Sequence, residues 1–306
     1  MKYAFMALAC ALSAHATTYY VTVAGLGGEP EYEQRFSGWA KDIDKELRGA
    51  PDTKVETLYG PDATRAKIQQ VLGTISQEAK PDDVFILTLI GHGSYDGFDY
   101  KINLPGPDMT AGEIASLLDR IPAKRQLVVN TTSCSGASRG VLERAGRTVI
   151  TSTKTGTEKN ATVFARYWAE ALRDPSVDVD KNETISALEA FKYAEQKTAN
   201  FYTTQKRLAT EHPMLEDTGK GEGVRNPSAE NGEGLMASRL PLLRTGTAQA
   251  AASDPRKAAL LARKDQLEQQ IDSLKYQKAA LPADAYKQQL TALLIELAKT
   301  QAELDK

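Results

Sequence analysis

The sequence predicts an α/β fold, a mostly parallel sheet flanked by helices, followed by a C-terminal antiparallel α-helical hairpin. Three observations predict it. From residue 18 to about 149, short apolar runs rich in β-branched and aromatic residues alternate with segments whose apolar residues recur at helical spacing. One run, "DVFILTLIG", is apolar almost throughout, as a strand buried on both faces must be. From Pro255 the pattern changes to heptad-like spacing, with Leu260, Leu267, Ile271 and Leu274 before an "LPAD" break and Tyr286, Leu290, Leu293, Leu297 and Leu304 after it.

The elements follow in order. "TYYVTVAG" reads as a strand, "EYEQRFSGWAKDIDKEL" as an amphipathic helix, "TKVETLYG" as a second strand and "DATRAKIQQVLGTISQEA" as a second helix. "DVFILTLIG" is the central strand, and "FDYKINLPGPD" after it reads as a small hairpin or excursion. Helix "TAGEIASLLDRI", strand "RQLVVNTT", short helix "GASRGVLERA", strand "RTVITST" and helix "ATVFARYWAEALRD" complete the pattern. Strands alternating with helices imply βαβ units, and in such sheets chemistry collects at the carboxyl ends of the strands. Three of those ends carry it: "VAGLGG", "LIGHGS" and "NTTSCSG".

Residues 17–215 therefore form the main domain, 216–252 read as a flexible linker rich in Gly, Pro, Asn and charge, and 253–306 as the hairpin. The hairpin must bury its stripe against itself, the main domain or a second chain, so self-association or partner binding through it is an expectation. Residues 1–16 have a positive Lys2, an apolar run from Tyr3 to Leu12 and an Ala14-His15-Ala16 ending, the layout of a cleavable signal peptide. Export to a periplasm or beyond follows; lipidation at Cys10 is the weaker alternative, since Ala7 stands where a larger aliphatic is preferred. No other segment is apolar enough to span a membrane. Removing Lys2 moves the formal charge from −2 to −3, a near-balance that gives no reason to expect nucleic acid or an anionic membrane as partner.

Signal removal also leaves Cys134 as the one cysteine, and His92 and His212 as the histidines. No intramolecular disulfide is then available, and an odd thiol in an exported chain suggests a reactive cysteine or an intermolecular bond. Cysteine catalysis needs a thiolate, an imidazole and oxyanion donors. Cys134 and His92 end two neighbouring strands, the glycines of "GHG" leave the Gly93 N–H free, the Cys134 N–H is the natural second donor, and a helix from Gly136 would point its positive end at the sulfur. The bland reading is that Cys134 is a small core hydrophobe and that glycines flank many turns. His212, in "EHPML", reads as a turn or surface residue, and Ser94 lacks the strand-turn-helix context of a serine nucleophile.

"VFILTLIGHGSYDG", "RQLVVNTTSCSGAS" and the opening "VTVAGLGGEPEYEQRF" together resemble the legumain family of caspase-like (clan CD) cysteine peptidases, over about residues 17–200. The resemblance implies a caspase-like fold and a protein or peptide substrate. It implies His92 as general acid/base, Cys134 as nucleophile, and the N–H groups of Gly93 and Cys134 as oxyanion hole, with no cofactor for the chemistry. It also implies Arg35 as a holder of the P1 side chain, which suits the amide of Asn or the carboxylate of Asp, and Thr151, Ser152 and Thr153 as a second wall of that pocket. One departure stands out. The family carries an acid directly after the cysteine, where this chain has Ser135, so strict Asn preference is in doubt and Ser135 itself joins the substrate-binding candidates. The contrasting expectation is a catalytically inactive caspase-like scaffold of the cell envelope.

A second motif lies at 178–189. "DVDKNETISALE" has the register of an EF-hand loop: Asp178, Asp180 and Asn182 at positions 1, 3 and 5, the Thr184 carbonyl at 7, Ser186 at 9 and Glu189 at 12. Position 6 is Glu183 where such a turn favours glycine. The alternative is a polar turn leading into a Ser186/Glu189 capping box. A structural calcium is the cofactor expectation.

Overall fold

The computed structural model describes residues 16–230 and 232–306, so the signal-peptide reading lies outside the described residues except at Ala16. Strand β1 (Thr18–Ala24) leads through α1 (Pro30–Leu47) to β2 (Thr53–Leu58), and α2 (Arg65–Glu78) to β3 (Val84–Ile90). Three short strands follow, β4 (Gly93–Tyr95), β5 (Tyr100–Ile102) and β6 (Met109–Thr110), then α3 (Ala111–Leu118) and β7 (Arg125–Asn130). Next come α4 (Arg139–Leu142), β8 (Arg147–Thr151), α5 (Phe164–Ala171), β9 (Thr184–Ser186), α6 (Ala187–Thr204) and β10 (Met214–Glu216). The chain ends with α7 (Leu235–Ser238), β11 (Pro241–Arg244), α8 (Gly246–Ser253), α9 (Pro255–Tyr276) and α10 (Ala283–Leu304).

The central sheet has six strands in the order β10-β8-β7-β3-β1-β2. All neighbours are parallel except β10, which runs antiparallel to β8. The fold class is thus α/β, with a mostly parallel sheet flanked by helices and a helical C-terminal segment. Period-two alternation divides the core. Phe85, Leu87 and Leu89 of β3 pack with Ile68 and Leu72 of α2 and Ile114 and Leu118 of α3. Ile86 and Ile90 face the other way, toward Phe36 of α1, Trp168 of α5 and Phe191 of α6. Helix starts are set locally: Thr64 accepts from the Lys67 N–H, and Thr110/Glu113 and Ser186/Glu189 form full capping boxes.

One reading changes and one is extended. The stretch 216–252 is not a loose linker. Ala237, Leu240, Leu242 and Leu243 are buried in the main core, β11 pairs with β9, and Asp217 accepts from the N–H groups of Gly234, Met236 and Ala237. Its average composition is that of a loop, but its few apolar residues are concentrated where they close the sheet's flank. The excursion after β3 is a three-stranded sheet, β4-β5-β6. The hairpin docks through α9, whose Leu267, Ile271 and Leu274 are buried and whose Asp265 pairs with Arg244 at 2.5 Å. Leu294 and Ile295 of α10 stay exposed. No helix of the described residues is long and apolar enough to cross a membrane.

A buried cation braces the end of the sheet opposite the loaded strand ends. Arg147, 1% exposed, donates to the Gln126 side chain (2.9 Å), the Leu142 carbonyl (2.9 Å) and Asp119 (2.8 Å). Replacing Arg147 with Ala strands the buried Gln126 oxygen and the Leu142 carbonyl. The expected loss is about 3 kcal/mol in urea unfolding, against about 1 kcal/mol or less for Asp119→Asn, whose carboxylate is half-exposed; equal losses would contradict this assignment.

Candidate active site

β3 and β7 are adjacent and parallel, with Leu89 opposite Asn130. His92 follows β3 and Cys134 follows β7, so both leave the sheet at the same edge. The imidazole sits against α1, edge-on to Tyr32 and Phe36 at centroid distances of 4.7 and 5.1 Å. Burial lowers its pKa, and the Gly27 carbonyl with Glu29 and Glu33 pulls it partly back. At neutral pH the ring is uncharged.

Cys134 has φ 59°, the left-handed region that non-glycine residues avoid. Such a conformation costs on the order of 1–3 kcal/mol and persists only where its surroundings fix it. Here they do: the Cys134 N–H donates to the Glu158 carbonyl at 2.9 Å and its carbonyl accepts from the Ala137 N–H at 3.0 Å. The residue is 1% exposed, in the core cluster that includes Tyr100 and is flanked by Tyr95 and Ala137. Burial raises the thiol pKa, while Lys159 and the Tyr95 N–H lower it. No hydrogen bond joins His92 and Cys134 among the described residues, so the pair rests as neutral thiol and neutral imidazole. In place of the expected helix from Gly136 there is a 3-10 turn at Ser135–Ser138 and the single turn of α4, too short to bring much positive potential to the sulfur.

The two expected oxyanion donors are both occupied. The Gly93 N–H donates to Ser133 Oγ at 3.0 Å and the Cys134 N–H to Glu158. Position 93 requires glycine, because a Cβ would lie 2.4 Å from the Ser133 carbonyl oxygen. The expected pocket wall is equally closed. Ser135, Thr151, Ser152 and Thr153 are fully buried, and the Ser135 hydroxyl bonds those of Ser152 and Thr153, each at 3.1 Å. Arg35 pairs with Glu31 in the first turns of α1, half-exposed, with its guanidinium 5.7 Å from the Tyr32 ring centre. The Tyr32 ring in turn meets His92 edge-on.

Three contributors were not legible in the sequence. Asn130, at the end of β7, donates to Ser138 Oγ (3.0 Å) and accepts from Tyr100 (3.2 Å) and Thr132 (2.9 Å). A polar residue closing the apolar run of Leu127, Val128 and Val129 is the signal that could have flagged it. Glu158 and His212 are the others. The Glu158 carboxylate bonds His212 Nδ1 and accepts from the Lys154 N–H at 2.7 Å. His212 is therefore no free turn residue: it lies two positions before β10, whose Met214 pairs with Thr151.

At the 178–189 loop, carboxylate oxygens of Asp178, Asp180 and Glu189 lie within 4.8 Å of one another. Glu183 takes the left-handed turn at φ 63° despite its side chain. The capping box is present too: Glu189 serves Ser186 and also accepts from the Val179 N–H at 3.0 Å. Asn182 turns its side chain to Asp180 (3.1 Å), and Thr184 lies in β9, opposite Arg244. Mutual repulsion with Glu189 adds to burial in pushing the Asp180 pKa up to about 6. A hard dication would relieve that repulsion, and the oxygen-only donor set fits one.

No family model matches the chain, and no curated protein matches it. Solved structures do resemble it. The Drosophila initiator caspase Dronc is 12% identical with a TM-score of 0.45, over 68% of this chain and 82% of that one. A Geobacter sulfurreducens protein is 13% identical with a TM-score of 0.45, over 76% and 99%. Caspase-1 from Spodoptera frugiperda is 12% identical with a TM-score of 0.44, over 66% and 86%.

A raised thiol pKa has a direct readout. Alkylation of Cys134 by iodoacetamide is expected to be slower at pH 7.5 than that of glutathione, and to keep rising above pH 8.5, the ordinary thiol value. A plateau below pH 7 would show a pre-formed thiolate instead.

Proposed function

We propose that the chain is an exported cysteine endopeptidase of the caspase-like (clan CD) type, akin to legumains, working through a Cys134–His92 dyad and cleaving after a polar or acidic P1 residue, Asn or Asp. One observation carries this reading: the only thiol among the described residues and a half-buried imidazole leave adjacent parallel strands at one sheet edge, the thiol on a backbone held in the left-handed region. In the reaction the Cys134 sulfur attacks the scissile carbonyl while His92 takes the thiol proton. His92 then gives that proton to the leaving amine, and as base activates the water that releases the acyl group. The developing oxyanion needs the Gly93 and Cys134 N–H groups, so Ser133 Oγ and the Glu158 carbonyl must give way when substrate enters.

The buried thiol and occupied donors favour a second reading, an inactive caspase-like scaffold. Fluorogenic peptides with P1 Asn and P1 Asp separate the two. Under the peptidase reading Cys134→Ala and His92→Ala each lower kcat/KM by about 10³-fold or more with the fold intact by circular dichroism. Turnover unchanged in Cys134→Ala would end it.

We also propose that the 178–189 loop takes calcium in a structural role, through Asp178, Asp180, Asn182, the Thr184 carbonyl and Glu189. The observation behind it is the carboxylate cluster in the register of an EF-hand loop. Calcium is expected to raise the melting temperature by several degrees over chelator-treated protein, and Asp178→Asn/Asp180→Asn to abolish the difference. No shift in the unmodified chain removes the proposal.

A further inference from the structure

We propose that residues 155–159 lie in the substrate cleft as a built-in pseudosubstrate, with Glu158 in the P1 place and His212 and the Lys154 amide reading its carboxylate, so that the enzyme prefers glutamate at P1. This rests on the peptidase reading of Cys134 and takes glutamate in place of the Asn or Asp of that reading.

In acyl transfer at a cysteine, the nucleophile's own N–H is one donor to the carbonyl under attack, and that carbonyl belongs to the P1 residue. In this structure the Cys134 N–H already holds a carbonyl, that of Glu158, at 2.9 Å. The segment reaches it by folding back on the chain just beyond β8. The Glu158 N–H donates to the Thr155 carbonyl at 3.5 Å, and the Lys154 N–H donates to the Glu158 carboxylate at 2.7 Å. Residue 158 thus closes a tight turn back onto residue 154, just beyond the end of β8, the strand next to the nucleophile's strand.

The side chain's surroundings then define the pocket. One carboxylate oxygen meets His212 Nδ1 and the other the Lys154 amide. His212 is brought there by β10, which runs antiparallel to β8 with Met214 opposite Thr151. A carboxylate held by an imidazole and a backbone N–H at once is a two-point acid site. Aspartate, one methylene shorter, falls short of His212, and an amide loses the charge.

The segment is also fitted to its seat. Gly156 rests on the Tyr95 ring so closely that a Cβ would lie 2.3 Å from Tyr95 Cδ1. Lys154, Thr155, Thr157 and Lys159 are exposed. The strap is held by Glu158, through its carbonyl and its carboxylate, by Gly156 against Tyr95, and by the Thr155 carbonyl, which accepts from the Thr153 hydroxyl at 3.1 Å.

The test uses the full chain and fluorogenic peptides that differ only at P1: Glu, Asp, Gln and Asn. The expected kcat/KM for P1 Glu exceeds that for P1 Gln by tenfold or more. His212→Gln lowers the P1 Glu value by about tenfold, mainly through KM, with little change for P1 Gln, and His212→Arg restores the preference. Glu158→Ala raises the rate of Cys134 alkylation and of turnover for every peptide, because the strap loses its carboxylate anchor. Circular dichroism confirms folding of each variant. Cys134-dependent cleavage with no glutamate preference, or with a preference that His212→Gln leaves intact, overturns this proposal and spares the peptidase reading. So does alkylation of Glu158→Ala at the wild-type rate. Absence of Cys134-dependent cleavage in both the wild type and Glu158→Ala overturns the peptidase reading and this proposal with it.

Discussion

The site is organised around one buried amide. Asn130 ends β7 with no exposure to solvent, and its side chain touches three separate pieces of chain. It reaches Tyr100 on the β4-β5-β6 sheet, Thr132 ahead of Cys134, and Ser138 in the turn beyond it. A buried amide pays heavily for any bond left unmade, so these three segments are held at fixed separations. The left-handed turn at Cys134 lies between two of the anchored points. Fixing both ends of a short segment is how a protein stabilises a backbone conformation that the residue itself disfavours.

The same region shows how a hydroxyl-rich sequence behaves when it is excluded from water. Thr131, Thr132, Ser133, Ser135, Ser138, Thr151, Ser152 and Thr153 are all buried. They satisfy one another and the nearby backbone: Thr131 bonds the Leu89 carbonyl at 2.7 Å, Ser152 that of Thr132 at 2.9 Å, Ser138 that of Ser135 at 2.7 Å. The resting state is a polar network without net charge, in which a neutral thiol and a neutral imidazole are both cheaper than an ion pair. Moving to a charged state requires water or a substrate dipole to enter.

Much of the sheet was legible because burial on two faces writes a two-residue period and burial of one helix face writes a period near 3.6. β3, β7 and α1 follow from that alone, and so does the shared edge of His92 and Cys134. The stretch from 212 to 244 was not legible. Its strands and helix are three or four residues each, shorter than the window over which periodicity becomes visible, and its scattered glycines break up the apolar pattern. The occupation of the Gly93 and Cys134 N–H groups was hidden for another reason. Their partners are a side-chain hydroxyl and a backbone carbonyl whose positions depend on tertiary packing. His212 and Glu158 are 54 residues apart, and nothing local in either segment announces the pair.

A left-handed, solvent-excluded cysteine has a chemical consequence of its own. Thiols are lost to peroxide and to disulfide exchange in proportion to their thiolate fraction and their accessibility. Cys134 offers little of either in this structure: burial holds the proton on, and the residue is packed in the core cluster. The resting fold thus acts as a redox shelter for this sulfur.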